Sequence, residues 1–336
     1  MKNKIAIASA FLAASSFSMG EIVVNEFLSF EGFVDSSYST SQADIEGDKE
    51  SDNSFGVDQV EISWLFNFDA VTAQIDLEYE DGDEDNEDGV EQAFVNLALG
   101  NGDVITAGRY ASMLGFEAYE PTGLYQYSTA YTLDGEVVAS AASQYVQGVK
   151  YTRTTDTTFF GISLQDQAFG NDGDRLGGDS DLGQDSSFAV EVAGSIDLGN
   201  GFTVFAGGAF EDAESGDNQL INVYVTYETG AWLFAAELNL EENESFFGVD
   251  ADSTSALLMA NYAYSDVASV TARISMVDLE VNDFEVVEFT KYTVAHNHAL
   301  SDNLLLVTEV SFDDGELGGE FDGDNLTFAA ELLFSF

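Results

Sequence analysis

Polarity along this chain changes with a period of two. Leu326, Phe328, Ala330, Leu332, Phe334 and Phe336 share one face of the segment they occupy, while Thr327, Glu331 and Ser335 share the other. The same alternation runs through Val60, Ile62, Trp64, Phe66 and Phe68, through Val71, Ala73, Ile75, Leu77 and Tyr79, and through Trp232, Phe234, Ala236, Leu238 and Leu240. Successive side chains of a strand point to opposite faces, so each run predicts a β-strand with one apolar and one polar face. The spacing predicts sixteen strands, over 27–39, 55–68, 71–80, 90–99, 104–110, 143–154, 157–166, 186–197, 202–211, 219–228, 231–241, 254–265, 267–277, 285–297, 303–312 and 326–336. Most have the ~9–11 residues that cross a bilayer at a tilt.

The connections alternate in length. Short ones fall at 69–70, 100–103, 154–156, 198–201, 229–230, 265–266 and 298–302. Long ones fall at 40–54, 81–89, 111–142, 167–185, 212–218, 242–253, 278–284 and 313–325. A soluble sandwich has no reason to keep this parity, whereas a barrel in an outer membrane has short turns at one end and long loops at the other. The predicted fold is therefore all-β: a transmembrane antiparallel β-barrel of about sixteen strands, with short periplasmic turns and long acidic external loops. The competing fold is a soluble β-sandwich that buries the apolar face.

The first twenty residues, MKNKIAIASAFLAASSFSMG, break the period. Lys2 and Lys4 precede an apolar run that ends in small residues, the pattern of a secretory signal peptide over residues 1–20, cut before Glu21. Residues 21–336 then form a single barrel domain. No later stretch reaches the apolar length of a transmembrane helix. Only closed barrels and helices satisfy their backbone in lipid, so a membrane placement requires the barrel.

Composition sharpens this picture. Of 336 residues, 62 are acidic and nine basic, a formal net charge of −53. A content of 45% hydrophobic and 13% aromatic residues excludes a disordered acidic tail. There is no basic stripe for nucleic acid, and no cysteine for a disulfide framework or thiolate metal site. The alternation places Glu61, Asp76, Glu78, Glu191, Glu228, Glu237, Glu309 and Glu331 on the polar face. Inside a sandwich these would be costly, but in a water-filled lumen they cost little. Trp64, Tyr79, Tyr145, Tyr151, Tyr227, Trp232, Tyr262, Tyr264 and Tyr292 lie in the predicted strands and suit interfacial girdles. About two-thirds of the acidic residues fall in the long connections, on one side of the membrane. That placement enriches cations at the external mouth, or serves as an adaptation to salt.

An even strand count, an N-terminal leader and a strand ending in ELLFSF, with Phe336 on its apolar face, resemble the bacterial outer-membrane porins. The segment GRYASMLGFEAYEPTGLYQYSTAY, from Gly108 to Tyr131, is similar to the OmpL-like porin family, in which a strand ending in Gly-Arg or Gly-Lys leads into a loop rich in glycine and aromatics. The resemblance implies a channel in the cell outer membrane for passive diffusion of small hydrophilic solutes and ions. It allows a homotrimer, for which the sequence carries no interface pattern. The partners it implies are outer-membrane lipid, small solutes and cations; nucleic acid is not among them.

The connection 111–142 holds the only proline, Pro121, together with Gly115, Gly123, Glu117, Glu120, Phe116, Tyr119, Tyr125, Tyr127 and Tyr131. So apolar a loop is a liability outside. It is expected to fold into the lumen, the competing placements being an external flap or extra strand pairing. Alternation turns Lys150, Arg273 and Lys291 inward, and Arg109 flanks the loop. The candidate pore constriction sets Arg109, Lys150, Arg273 and Lys291 opposite Glu117 and Glu120; separate wall ion pairs are the competing reading. The expected channel is cation-preferring.

No catalytic centre, cofactor site or dedicated metal site is expected. The run Asp81–Asp88 fails the EF-hand pattern at Asn86 and Gln92, and Gly177–Leu182 does not repeat as a calcium-binding β-roll does. His296 and His298 lack a nucleophile partner, so an enzyme is disfavoured. The alternative function is a non-channel surface protein: an adhesin, a binding barrel or a membrane enzyme.

Overall fold

The computed structural model describes residues 20–45, 47–80, 89–117, 119–133, 136–137, 144–169, 186–213, 216–246, 249–282, 284–317 and 321–336. Residues 1–19 of the expected leader 1–20, the acidic run 81–88 and the segment 170–185 with Gly177–Leu182 lie outside the described residues.

Sixteen strands make the wall: β1 (Leu28–Ile45), β2 (Asp48–Phe68), β3 (Val71–Glu80), β4 (Val90–Gly100), β5 (Asp103–Ala111), β6 (Tyr145–Thr154), β7 (Thr158–Gln165) and β8 (Ser186–Gly199), then β9 (Phe202–Ala213), β10 (Gly216–Thr229), β11 (Trp232–Phe246), β12 (Val249–Ser265), β13 (Ala268–Val281), β14 (Phe284–Ser301), β15 (Leu304–Leu317) and β16 (Phe321–Ser335). Each pairs antiparallel with the next, and β16 pairs back onto β1, from Gly323 opposite Ile45 to Ser335 opposite Phe33. The ring is closed, so none of these strands has a free edge. The short strand Ile22–Val23 adds beside β1. Among the described residues no helix is long and apolar enough to cross a membrane.

Burial inverts the rule of soluble proteins. On β13 the apolar Ile274 and Met276 are 47% and 53% exposed, while their neighbours Arg273 and Ser275 are each 1% exposed. Leu258, Val294, Val310 and Phe328 continue the exposed apolar surface on neighbouring strands. Such a continuous apolar exterior is stable against hydrocarbon and not against water. The sandwich alternative is thereby excluded.

The turns follow from local chemistry. Asn101 and Gly102 have φ of 56° and 84°, and Asn200 and Gly201 have 56° and 85°. A hairpin turn of type I′ takes positive φ at both central residues, which Asn and Gly adopt at least cost. At the ring closure the Gly32 and Phe336 main chains exchange two hydrogen bonds of 2.9 Å. A Cβ at Gly32 would lie 2.3 Å from the Glu61 carbonyl oxygen, so this close approach admits only glycine.

Several expected loops are corrected. The connections expected at 40–54, 212–218, 242–253, 278–284 and 313–325 are largely strand. β1 and β2 stay paired out to Ile45 opposite Asp48, and β15 and β16 out to Leu317 opposite Phe321. Both faces of the β1–β2 and β15–β16 extensions are largely polar, so apolar alternation fades while the backbone ladder continues. Ladder hydrogen bonds need no apolar side chain.

Outward aromatics cluster near the short-turn ends of β9–β12. Trp232 stacks on Tyr262 at 4.4 Å and Phe202 on Tyr227 at 4.2 Å. Tyr145 is a correction to the expected girdle: its side chain turns inward and is 9% exposed.

Candidate functional site

The long connection between β5 and β6 is bound to the inward files of the wall. From Ser112 to Thr132 it is almost without regular structure, apart from one 3-10 turn at Pro121–Gly123 and a two-residue ladder where Thr132–Leu133 meets Glu136–Val137. Its backbone polar groups must find partners, and they find wall side chains. Met113 N donates to Glu191 Oε1 (2.7 Å) on β8. Gly115 N donates to Asn222 Oδ1 (3.1 Å) on β10, and Phe116 N to Glu237 Oε1 (2.7 Å) on β11. Further along, Ser128 N donates to Glu309 Oε2 (3.2 Å) on β15. Thr271 Oγ1 and Asn297 Nδ2 both donate to the Tyr125 carbonyl, at 3.0 and 2.9 Å. These wall side chains cap loop groups that the loop's own residues leave unpaired.

Apolar contacts complete the seating. Leu114, Phe116 and Ala130 join inward Phe205, Leu220, Tyr224, Leu257 and Met259 in a buried cluster, with Met113, Tyr125 and Tyr131 packed against it. Tyr127 packs against a second cluster containing Phe33 and Leu333. The inward face is thus not uniformly polar: apolar residues occupy it where the loop lies. Burial pushes the Tyr127 phenol up to about 12, against a 3.3 Å contact with Ser37 Oγ that lowers it. Burial likewise raises Tyr119 and Tyr125 above the ordinary phenol range.

The six candidate residues divide into two groups and an outlier. Arg273 pairs with Glu117, donates to the Ser128 and Thr129 carbonyls (both 2.9 Å) and has a fully buried side chain. Glu117 also accepts from Ala130 N (2.7 Å). Lys291, on the next strand, donates to the Thr132 carbonyl and lies 3.8 Å from Asp313 Oδ1. Glu120 belongs elsewhere: it accepts from Gln59 Nε2 (3.0 Å) and Tyr145 OH (2.5 Å). Lys150, on β6 like Tyr145, donates to the Ala111 carbonyl (3.1 Å) with its ammonium 4.3 Å from the Tyr110 ring centre.

Arg109 is the outlier. It stands opposite Ala93 and Gln147, in the outward file of Ile105 and Ala107, while inward Tyr110 reaches Ser163 (2.7 Å). Its Nε donates to the Glu91 main-chain oxygen (2.8 Å). Arg109 therefore does not join the inward cluster, because register places it one residue out of phase.

Of the carboxylates expected inside, Glu61, Asp76, Glu191, Glu237, Glu309 and Glu331 are all buried, and Glu78 accepts from Gln59 Nε2 (2.5 Å). Glu228 lies on the inward file opposite Leu233 but is exposed at the short-turn end of β10. Sequence reasoning missed Asn222, Gln59 and Glu91. Asn222 and Gln59 were legible as polar members of inward files; Glu91 was not, for a reason of register given below.

Comparisons with known proteins agree with this geometry. The model of the family described as "Putative beta-barrel porin-2, OmpL-like" matches residues 28–336. No curated protein matches in sequence. Among solved structures, the chain is similar to the outer membrane channel DcaP of Acinetobacter baumannii, with a TM-score of 0.67 at 12% identity over 92% of this chain and 97% of that one. It is similar to an anion-selective porin from Comamonas acidovorans, with a TM-score of 0.65 at 16% identity over 92% and 99%. The trimer form of OmpT, an outer membrane protein of Vibrio cholerae, gives 0.59 at 14% identity over 92% and 99%. A closed sixteen-strand ring, an apolar exterior and a family match across almost the whole chain converge: this outer-membrane barrel belongs to the OmpL-like β-barrel porin family.

Proposed function

We propose that the barrel is a water-filled channel for passive diffusion of small hydrophilic solutes and ions, narrowed by residues 112–132 lying in its lumen. The observation that carries this reading is the attachment of that segment to inward side chains of β8, β10, β11, β13, β14 and β15. A loop so tied narrows the passage and leaves the remaining cross-section to water.

The channel prefers cations. Support comes from the charge balance: 62 acidic against nine basic residues, with Asp48, Asp52, Asp314 and Glu316 among those on the polar strand extensions. The similarly folded Comamonas acidovorans porin is anion-selective, so the fold leaves the sign of selectivity to the charges it carries. Assembly as a homotrimer is supported by the trimer form of the Vibrio cholerae protein.

Planar-bilayer recording tests this. The folded protein is expected to give stepwise conductance and, in a salt gradient, a reversal potential displaced toward the cation value. Absence of conductance from folded protein would sink the channel reading, and an anion-directed potential would sink the preference alone.

A further inference from the structure

Glu120 meets two carboxylates of the wall. Glu61 stands on the inward file of β2. Glu91 is at the start of β4, where the register against β3 shifts: Leu77 faces Val90 and Asp76 faces Gln92, leaving Glu91 as the extra, bulged residue. A bulge re-aims a side chain, and here it turns Glu91 toward Glu61 and Glu120. One carboxylate oxygen from each of the three lies within 4.8 Å of the other two. Glu61 is 5% and Glu91 8% exposed.

The side chains that donate to these carboxylates are neutral and already committed. Ser63 Oγ serves Glu61 Oε1 (2.6 Å), while Gln59 and Tyr145 serve Glu120. Arg109 Nε is directed at the Glu91 main-chain oxygen. Glu91 Oε2 is buried without a hydrogen-bond partner. Three carboxylates converging away from water, one with an orphan oxygen, cannot all stay ionised unaided: protons or a bound cation must offset their repulsion, and a single cation can engage all three at once.

We propose that Glu61, Glu91 and Glu120 form a calcium site that clamps the loop to the wall. Calcium takes carboxylate oxygens at ~2.3–2.6 Å, so its ligands stand up to about 5 Å apart. Magnesium, at ~2.0–2.1 Å, demands near-ideal octahedral geometry and surrenders its waters reluctantly, so a site built of three protein carboxylates suits calcium better. The ligands come from two strands and the loop, so the site exists only in the folded wall with the loop seated, and no local motif announces it.

The test is calorimetric titration of the folded full chain in detergent, stripped of divalent ions and titrated with calcium in magnesium-containing buffer. One site per chain is expected above the weak background of the external acids. Glu91→Gln and Glu120→Gln should each weaken that site by at least ~10-fold, while Asp314→Asn on the β15 extension leaves it in place. Heat-modifiable gel migration verifies folding, and if Glu91→Gln fails to fold, Glu120→Gln carries the same readout. Calcium binding by folded Glu120→Gln indistinguishable from that of the unmodified chain would overturn the proposal, as would the absence of any site resistant to magnesium.

Discussion

Arg273 and Glu117 form an ion pair inside the barrel, joining β13 to the loop, with the Arg273 side chain entirely withdrawn from solvent. Because Arg273 also binds the Ser128 and Thr129 carbonyls, it holds two parts of the loop at once. Removing one member of such a pair strands the other. Arg273→Met is expected to destabilise the barrel by about 3–5 kcal/mol, and the double variant with Glu117→Gln by less. Guanidinium unfolding of the two variants measures the difference. On the channel reading, Arg273→Met also raises single-channel conductance as the loop loosens.

Ring closure depends on a missing side chain. Gly32→Val would drive a methyl-bearing Cβ into the Glu61 carbonyl, and Phe336 would lose its main-chain partners. The expected outcome is a fall in the heat-modifiable folded fraction. Val34→Ala, one strand step away but free of that contact, serves as the comparison.

The outward file faces hydrocarbon. Val294, at 56% exposure, lies centrally on β14. Val294→Lys is expected to cost about 2–4 kcal/mol in lipid vesicles if it lies near the midplane. Unfolding titrations in vesicles check this; a neutral outcome would place Val294 nearer an interface.

The strand extensions carry the external acid. Neutralising Asp48, Asp52 and Asp314 together should move the reversal potential away from the cation value at low salt. The change should shrink as ionic strength rises, because the Debye length falls from ~30 Å at 0.01 M to ~3 Å at 1 M. Equal changes at both ionic strengths would count against surface charge as their source.

The loop phenols report on loop seating. Burial pushes the Tyr127 phenol up to about 12 in the folded state, from its ordinary value of 10.0. A raised folded value means that the protonated form is favoured by folding. Its contribution is complete below pH 10 and is lost as pH rises through about 12. Absorbance titration at alkaline pH should show Tyr127 ionising later than it does in unfolded chain; simultaneous ionisation would contradict its burial.

Sixteen strands were legible because a barrel wall separates two solvents. Lipid and lumen demand opposite chemistry, so period two is written wherever both are present. It fades where the strands leave the membrane, which is why β1–β2 and β15–β16 looked like loops beyond about Thr40 and Phe312. Inward placement of Arg273 and Lys291 followed from parity, since one-residue steps decide the face. Arg109 did not follow, because nothing local fixed the phase around Gly108, whose φ is 131°. Glu91 was hidden by its bulge: an extra residue shifts phase only with respect to a partner strand, and a partner is a fact of pairing, not of composition. The apolar seat of the loop was obscured for a related reason, as inward Phe205, Leu220 and Met259 make sense only beside Leu114 and Phe116.

The pairing of β16 with β1 also sets the costliest closure in the ring. Every other neighbouring pair in the ring joins consecutive strands, most of them through brief connections, so hairpins can form as soon as their residues are available. The last seam spans almost the full sequence and carries the largest loop-closure entropy. Until that seam is made, an open sheet presents two raw edges, each a template for pairing with a neighbouring copy. A stalled or shortened chain is therefore a sticky open sheet and not a smaller barrel, and its safe passage to the membrane depends on those edges being kept apart until the seam is made.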